Sequence, residues 1–171
     1  MAGKTYLFQP EKKVMKQGYF MTDESEGIVY EAKMLKQPLL GAMEFEFVNH
    51  VSGKTEMHKV GKTLTTESGA GGIVSALSQK SRFKFDGTNI WDYLHDAGIR
   101  IETGLAGGKL GMRYEVTLKG QPMASLESTT PGGKSIITSK HYYNVTTEEE
   151  NLDLAFLTAF AIARTDQAIY N

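Results

Sequence analysis

Thr146-Thr147-Glu148-Glu149-Glu150-Asn151-Leu152-Asp153-Leu154-Ala155-Phe156-Leu157-Thr158-Ala159-Phe160-Ala161-Ile162-Ala163-Arg164 joins an acidic lead to an apolar run in this 171-residue chain. Its opening reads as a helix start. Thr146 with Glu149, or Thr147 with Glu150, has capping-box spacing, and three glutamates lie where the helix dipole favours negative charge. From Leu154 to Ala163 only Thr158 is polar, so the helix has no face that water can solvate and must be enclosed. A bilayer span needs about 20 apolar residues. This run is shorter and bounded by Asp153 and Arg164, so burial in a soluble core is expected. Leu152, Leu154, Phe156, Leu157, Phe160 and Ile162 are the expected core side chains, worth roughly 10–20 kcal/mol gross before conformational entropy is subtracted.

The preceding residues alternate apolar and polar side chains with the period of half-buried strands. Met112, Tyr114, Val116 and Leu118 oppose Arg113, Glu115, Thr117 and Lys119. Met43, Phe45 and Phe47 oppose Glu44 and Glu46; Phe83 and Phe85 oppose Arg82 and Lys84. Ile99 and Ile101 oppose Arg100 and Glu102, and Ile28, Tyr30, Ala32 and Met34 oppose Glu31 and Lys33. Turn residues at 23–27, 49–53, 119–122 and 130–133 separate these segments at the spacing of an antiparallel meander. The strands need an apolar filling and the helix needs an apolar coat, which predicts a β-barrel or sandwich wrapped around the helix. A second, short amphipathic helix is predicted over Thr88–Ala97, capped by Thr88, anchored by Trp91 and left through Gly98. The Gly-rich segment Ser68 to Ser81 fits either strand or helix turn.

Length and composition predict one domain over residues 1–171. The formal charge is −1, with 19 basic and 20 acidic residues, so no global field draws the chain to nucleic acid and no nucleic-acid partner is expected. Without cysteine there are no disulfides, thiolate metal sites or cysteine nucleophiles, which fits a reducing compartment. The first residues lack a signal-peptide apolar region, and the cytoplasm is the expected location. Asn144-Val145-Thr146 has the form of a glycosylation acceptor, which carries no weight without a secretion signal.

Motifs for chemistry do not assemble. Gly-Lys-Ser/Thr triplets begin at Gly3, Gly53, Gly61 and Gly133, but a phosphate loop needs a glycine five residues earlier. Val48, Glu56 and Ser128 stand there in the last three, and Ser135 to Thr138 reads as a strand, not the required helix. Gly104 to Gly111 reads as a loop between strands. His50, His58, His95 and His141 have no paired-ligand spacing, so no metal is expected. His95 and Asp96 are neighbours on a helix and point apart. No nucleophile, base and oxyanion donor can be brought together, so no catalytic residues and no cofactor are assigned.

The order of elements, together with Gln17-Gly18-Tyr19-Phe20-Met21-Thr22-Asp23, Ile28-Val29-Tyr30-Glu31-Ala32-Lys33, Phe83-Lys84-Phe85-Asp86-Gly87, Trp91-Asp92-Tyr93-Leu94 and Leu152 to Ala163, resembles the tubby C-terminal-like superfold. The closer likeness is to its LURP-one-related and phospholipid-scramblase-like branch. The resemblance implies a closed antiparallel barrel of about twelve strands, built as two similar halves around the terminal helix. It also implies a link to lipid headgroups or membranes. The tubby lipid-site residues do not align here by motif. The basic residues that offer themselves are Lys12, Lys13 and Lys16, joined across the first hairpin by Lys33 and Lys36; the same lysines also suit a solvated strand edge that resists pairing. Three readings stay open: a non-catalytic module binding a phospholipid headgroup or membrane surface, peripheral in the cytoplasm; an interaction or assembly protein without a small ligand; and a small-molecule carrier or enzyme. The oligomeric state is not readable from the sequence.

Overall fold

The computed structural model describes residues 3–13, 16–36, 43–62, 83–105, 112–129 and 142–170. Among the described residues, eleven strands precede the long helix: β1 (Lys4–Lys13), β2 (Lys16–Thr22), β3 (Ile28–Lys36), β4 (Met43–Asn49), β5 (Thr55–Lys62), β6 (Phe83–Phe85), β7 (Thr88–Asn89), β8 (Ile99–Leu105), β9 (Met112–Leu118), β10 (Gln121–Ser128) and β11 (Tyr143–Thr147). Helix α1 (Ile90–Asp96) lies between β7 and β8, and α2 (Leu152–Tyr170) follows β11. The protein is thus mainly β, with all strands in one sheet ordered β7-β6-β5-β4-β3-β2-β1-β11-β10-β9-β8. Every ladder is antiparallel. The two meanders meet where β1 pairs with β11, from Lys4↔Thr147 to Phe8↔Tyr143. Among the described residues no ladder joins β7 to β8.

Alternation sets which face of the sheet meets α2. Tyr6 and Phe8 of β1, Tyr19 and Met21 of β2, Tyr30, Ala32 and Met34 of β3, and Phe45 and Phe47 of β4 are all buried. The residues between them on β3 and β4, including Glu31, Lys33, Glu44 and Glu46, take the other face. Helix α2 is buried at every position from Ala155 to Arg164, so the sheet curves around it. Phe156 meets the rings of Phe8, Tyr30 and Phe47 at 5.3, 4.3 and 5.9 Å. One turn on, Phe160 meets Tyr19, Phe45 and Phe47 at 5.5, 5.3 and 5.0 Å. β10, β11 and α1 complete the surroundings. Thr158, fully buried, satisfies its hydroxyl by donating to the Leu154 carbonyl at 2.7 Å, the back-bond that makes a hydroxyl tolerable inside a helix.

Four local expectations are corrected. Leu154 is only partly buried, while Leu152, Phe156, Leu157, Phe160 and Ile162 are buried. The capping box does not form: Thr146 and Thr147 are held in β11 opposite Thr5 and Lys4, and Thr147 donates its hydroxyl to the Met123 carbonyl at 2.9 Å. Ladder hydrogen bonds claim both threonines, and a 3₁₀ turn over Glu149–Asn151 leads into α2 instead. Helix α1 is capped not by Thr88, which pairs with Phe85, but by Asn89, whose side-chain oxygen accepts from the Trp91 and Asp92 amides at 2.9 and 3.3 Å. The basic limit of the apolar run, Arg164, is itself buried. Gly98 does leave α1 at φ +93, and Trp91 does pack against the core. The 68–81 segment, the 135–138 strand and the 130–133 turn lie outside the described residues, and of the Gly-rich loop only Gly104 and Leu105 are described, as the end of β8.

The strand periodicity that hides in the sequence is instructive in β1. Leu7 is apolar but sits on the outer face between buried Tyr6 and Phe8, which blurs the alternation. Pro10 lies beyond the last β1–β11 pair, so its missing N–H interrupts no described ladder on that side.

Candidate functional site

Two groups of polar side chains lie at opposite ends of the sheet. The first is built around the start of α2 by the β4–β5 hairpin and the β6–β7 turn. Asn49, buried at the end of β4, accepts from the Val51 and Ser52 amides at 2.9 and 3.1 Å and so shapes the hairpin turn. Its amide nitrogen donates to Asp153 in the first turn of α2 at 3.2 Å. Burial holds the Tyr30 phenol well above the ordinary tyrosine range, and the charge and hydrogen bond of Asp153 push the same way. Tyr30, Asn49 and Asp153 therefore tie the helix start to β3 and β4.

Beside them, His58 of β5 is set between two carboxylates. Its Nδ1 lies 2.6 Å from Asp86 and its Nε2 3.2 Å from Glu56. The imidazole packs against Phe85 and Phe47 at 4.4 and 5.1 Å between centroids. Asp86 is fixed in turn: it adopts φ +52, and its second oxygen accepts from the Lys59 amide at 2.8 Å. A hydrogen bond from Lys54, 3.0 Å away, and then one from His58 hold the Glu56 carboxyl below its usual range. The imidazole thus sits between two carboxylates and links β5 to the turn that follows β6. The sequence offered no signal for it, because 28 residues separate His58 from Asp86.

A cleft of about 220 Å³ opens where the β9–β10 turn meets the helix start, lined by Leu118, Gln121, Pro122, Met123, Glu148, Glu150 and Asn151. Its polar groups are acidic or amide and include no nucleophile–base pair. Among the described residues no group of three His, Asp or Glu side chains is placed to hold a metal ion.

The lysines singled out from the sequence fall at the other end. Lys12, Lys13 and Lys16 close the β1–β2 hairpin, with Lys13 opposite Lys16 and Lys12 opposite Gln17. Lys36 is the last residue of β3, in register with Glu44. Lys33 is set apart from them: it lies in mid-strand, its Nζ 2.7 Å from Glu31. The hydrogen bond and charge of Glu31, with Glu46 and Glu11 beyond, raise its pKa. The fold thus gathers four of the five lysines and neutralises the fifth.

Scans of the chain against protein-family models, curated proteins and solved structures each returned no match. Among the described residues no helix is long and apolar enough to cross a membrane.

Proposed function

We propose that the chain is a tubby C-terminal-like domain of the LURP-one-related and scramblase-like type, whose strands close around α2, and that it is a non-catalytic binding module for an anionic membrane surface in the cytoplasm. The observation that carries the binding reading is the filling of the interior. With every position from Ala155 to Arg164 buried, the helix occupies the space in which other barrels hold a ligand. Recognition then falls to the outside, where Lys12, Lys13 and Lys16 sit within the last register pairs of one hairpin. Juxtamembrane lysines of this kind contribute about 1 kcal/mol each at an anionic leaflet.

Co-sedimentation with phosphatidylcholine vesicles, with and without phosphatidylserine, tests the reading. Binding confined to the anionic vesicles, weakened by salt and lost when the three hairpin lysines become glutamate, is expected. Equal recovery with neutral vesicles, or none with either, refutes it. A protein-partner reading draws on Ile28, at the start of β3, and Val51, in the β4–β5 turn, both exposed and brought near one another by the bond from the His50 amide to the Val29 carbonyl. It predicts a self-associated species that I28S/V51S dissociates.

A further inference from the structure

The two lateral edges of the described sheet are unlike. At one edge β7 is two residues long and turns directly into α1, so it offers little ladder to extend. The other edge, β8, runs for seven residues with no proline, no lysine and no break in its register with β9. Those are devices by which exposed edges resist pairing. Arg100, Glu102, Thr103 and Gly104 are all exposed. The Lys119 amide donates to the Gly98 carbonyl at 2.8 Å, so alternation turns the backbone groups of Arg100 and Glu102 toward β9 and those of Ile99, Ile101 and Thr103 away from it. The Arg100 guanidinium agrees with that direction: its Nη1 donates to the Ile99 carbonyl at 2.9 Å and to the His95 carbonyl, in the last turn of α1, at 3.1 Å. Among the described residues nothing takes up the outward N–H and C=O groups of Ile101 and Thr103.

The side chains on the outer face of this edge carry opposite charges two residues apart. Glu102 stands opposite Glu115 of β9, and the nearby Arg113 is taken by Glu115 at 2.7 Å and Glu127 at 3.4 Å. Among the described residues no cation pairs with Glu102. Arg100 binds two carbonyls and no carboxylate. The strand thus presents an acid without a base and a base without an acid beside unpaired backbone.

We propose that two copies of this chain pair antiparallel through β8 about a two-fold axis at Ile101, an inference independent of the membrane-surface reading. Ile101 then faces Ile101 of the second copy, and Ile99 faces its Thr103, joined through the outward backbone groups. Arg100 faces Glu102 of the second copy at a non-hydrogen-bonded position, where opposite side chains come closest, at about 4.5 Å between Cα atoms. Two-fold symmetry makes each contact twice. The charges select this register. An axis one residue earlier sets Arg100 against itself, and one residue later sets Glu102 against itself, and like charges directly opposite destabilise a ladder. The pairing uses only residues 99–103, all of them described with their side chains.

Sedimentation velocity of the full chain over micromolar to millimolar concentrations tests the pairing. The parent should pass from monomer to dimer. E102R, which leaves the carbonyl bonds of Arg100 untouched, and R100E each set like charges together and should raise the dissociation constant about tenfold or more. The exchange R100E/E102R restores opposite charges with the roles reversed and should return the constant to within about threefold of the parent, a recovery that also shows the exchanged chain to be folded. T103P removes an outward N–H without touching a bond to β9 and should weaken the dimer. A parent that stays monomeric overturns the inference. So does a dimer that survives both single reversals, or one that both abolish and the exchange fails to restore. Dissociation by I28S/V51S but by neither reversal places the contact at the β4–β5 turn and overturns it equally.

Discussion

Replacing Phe156 by alanine tests the burial of α2, which leaves no exposed position from Ala155 to Arg164. The ring is fully buried and touches three others contributed by β1, β3 and β4. Phe→Ala in a close-packed core costs about 3–5 kcal/mol, the upper part of that range applying where rigid neighbours cannot collapse into the cavity. Loss of three ring–ring contacts favours the upper part, because each such pair contributes about 0.5–1.5 kcal/mol beyond its area. Against a typical stability of about 5–15 kcal/mol this is a third or more of the total. Urea unfolding followed by far-UV circular dichroism reads it as a large drop in midpoint at constant slope. The companion variant is Ala161→Glu, on a different side of the helix and also fully buried. In a wrapped helix it has no water to turn to and should be at least as damaging. A loss below about 1 kcal/mol for F156A, or a tolerated A161E, would refute the reasoning, the second because it would give α2 a solvated face.

The remaining predictions concern the connections around that core. Gly18→Ala would set a Cβ 2.6 Å from the backbone carbonyl oxygen of Ala32, so β2 and β3 must separate, at about 1–3 kcal/mol, measured by denaturant unfolding. Asn49→Ala removes the acceptor of two turn amides and the donor to Asp153; a loss of about 1–3 kcal/mol is expected, and a change within 0.5 kcal/mol, the ordinary surface range of about ±0.5, would deny the latch. Asp86→Ala strands both His58 and the Lys59 amide and puts alanine at φ +52, whereas Asp86→Asn, which tolerates that backbone, should melt closer to the parent. Because the folded-state pKa of Glu56 is depressed, its contribution is present above the ordinary carboxylate range and lost as pH falls through the folded value. E56Q should therefore lose less stability than the parent on acidification, checked by melting temperature across that range. Tyr30, whose pKa is raised, works in the opposite sense: the folded state retains the proton, so stability falls as pH climbs past the ordinary tyrosine value, and Y30F should flatten that fall.

Much of the fold was legible because it is written in local period. Tyr114 and Val116, or Phe45 and Phe47, announce their strands by alternation, and the run from Leu154 to Ala163 announces enclosure by having no polar face. Legibility failed where two local rules competed. Thr146 and Thr147 satisfy a helix-capping spacing and a β-ladder equally well; pairing with Thr5 and Lys4 decided for the ladder. Arg164 reads as a solvent-facing end of the helix, yet its guanidinium lies 5.8 Å from the Phe45 ring and interacts with Tyr19. The partners that make such burial tolerable come from β2 and β4, more than a hundred residues away in the chain.

The same division separates the two polar ends. The hairpin lysines Lys12, Lys13 and Lys16 are close in sequence, so their proximity could be anticipated. That Glu31 holds Lys33 follows from their spacing on one face of β3, whereas the meeting of Asp86 with His58 depends on ladder register. Side-chain period and composition determine that strands must wrap an apolar helix, because burial of apolar surface follows from the pattern of each segment alone. Which charges become neighbours was left to tertiary structure, since it depends on how segments distant in the chain come into register, and no local pattern specifies that pairing.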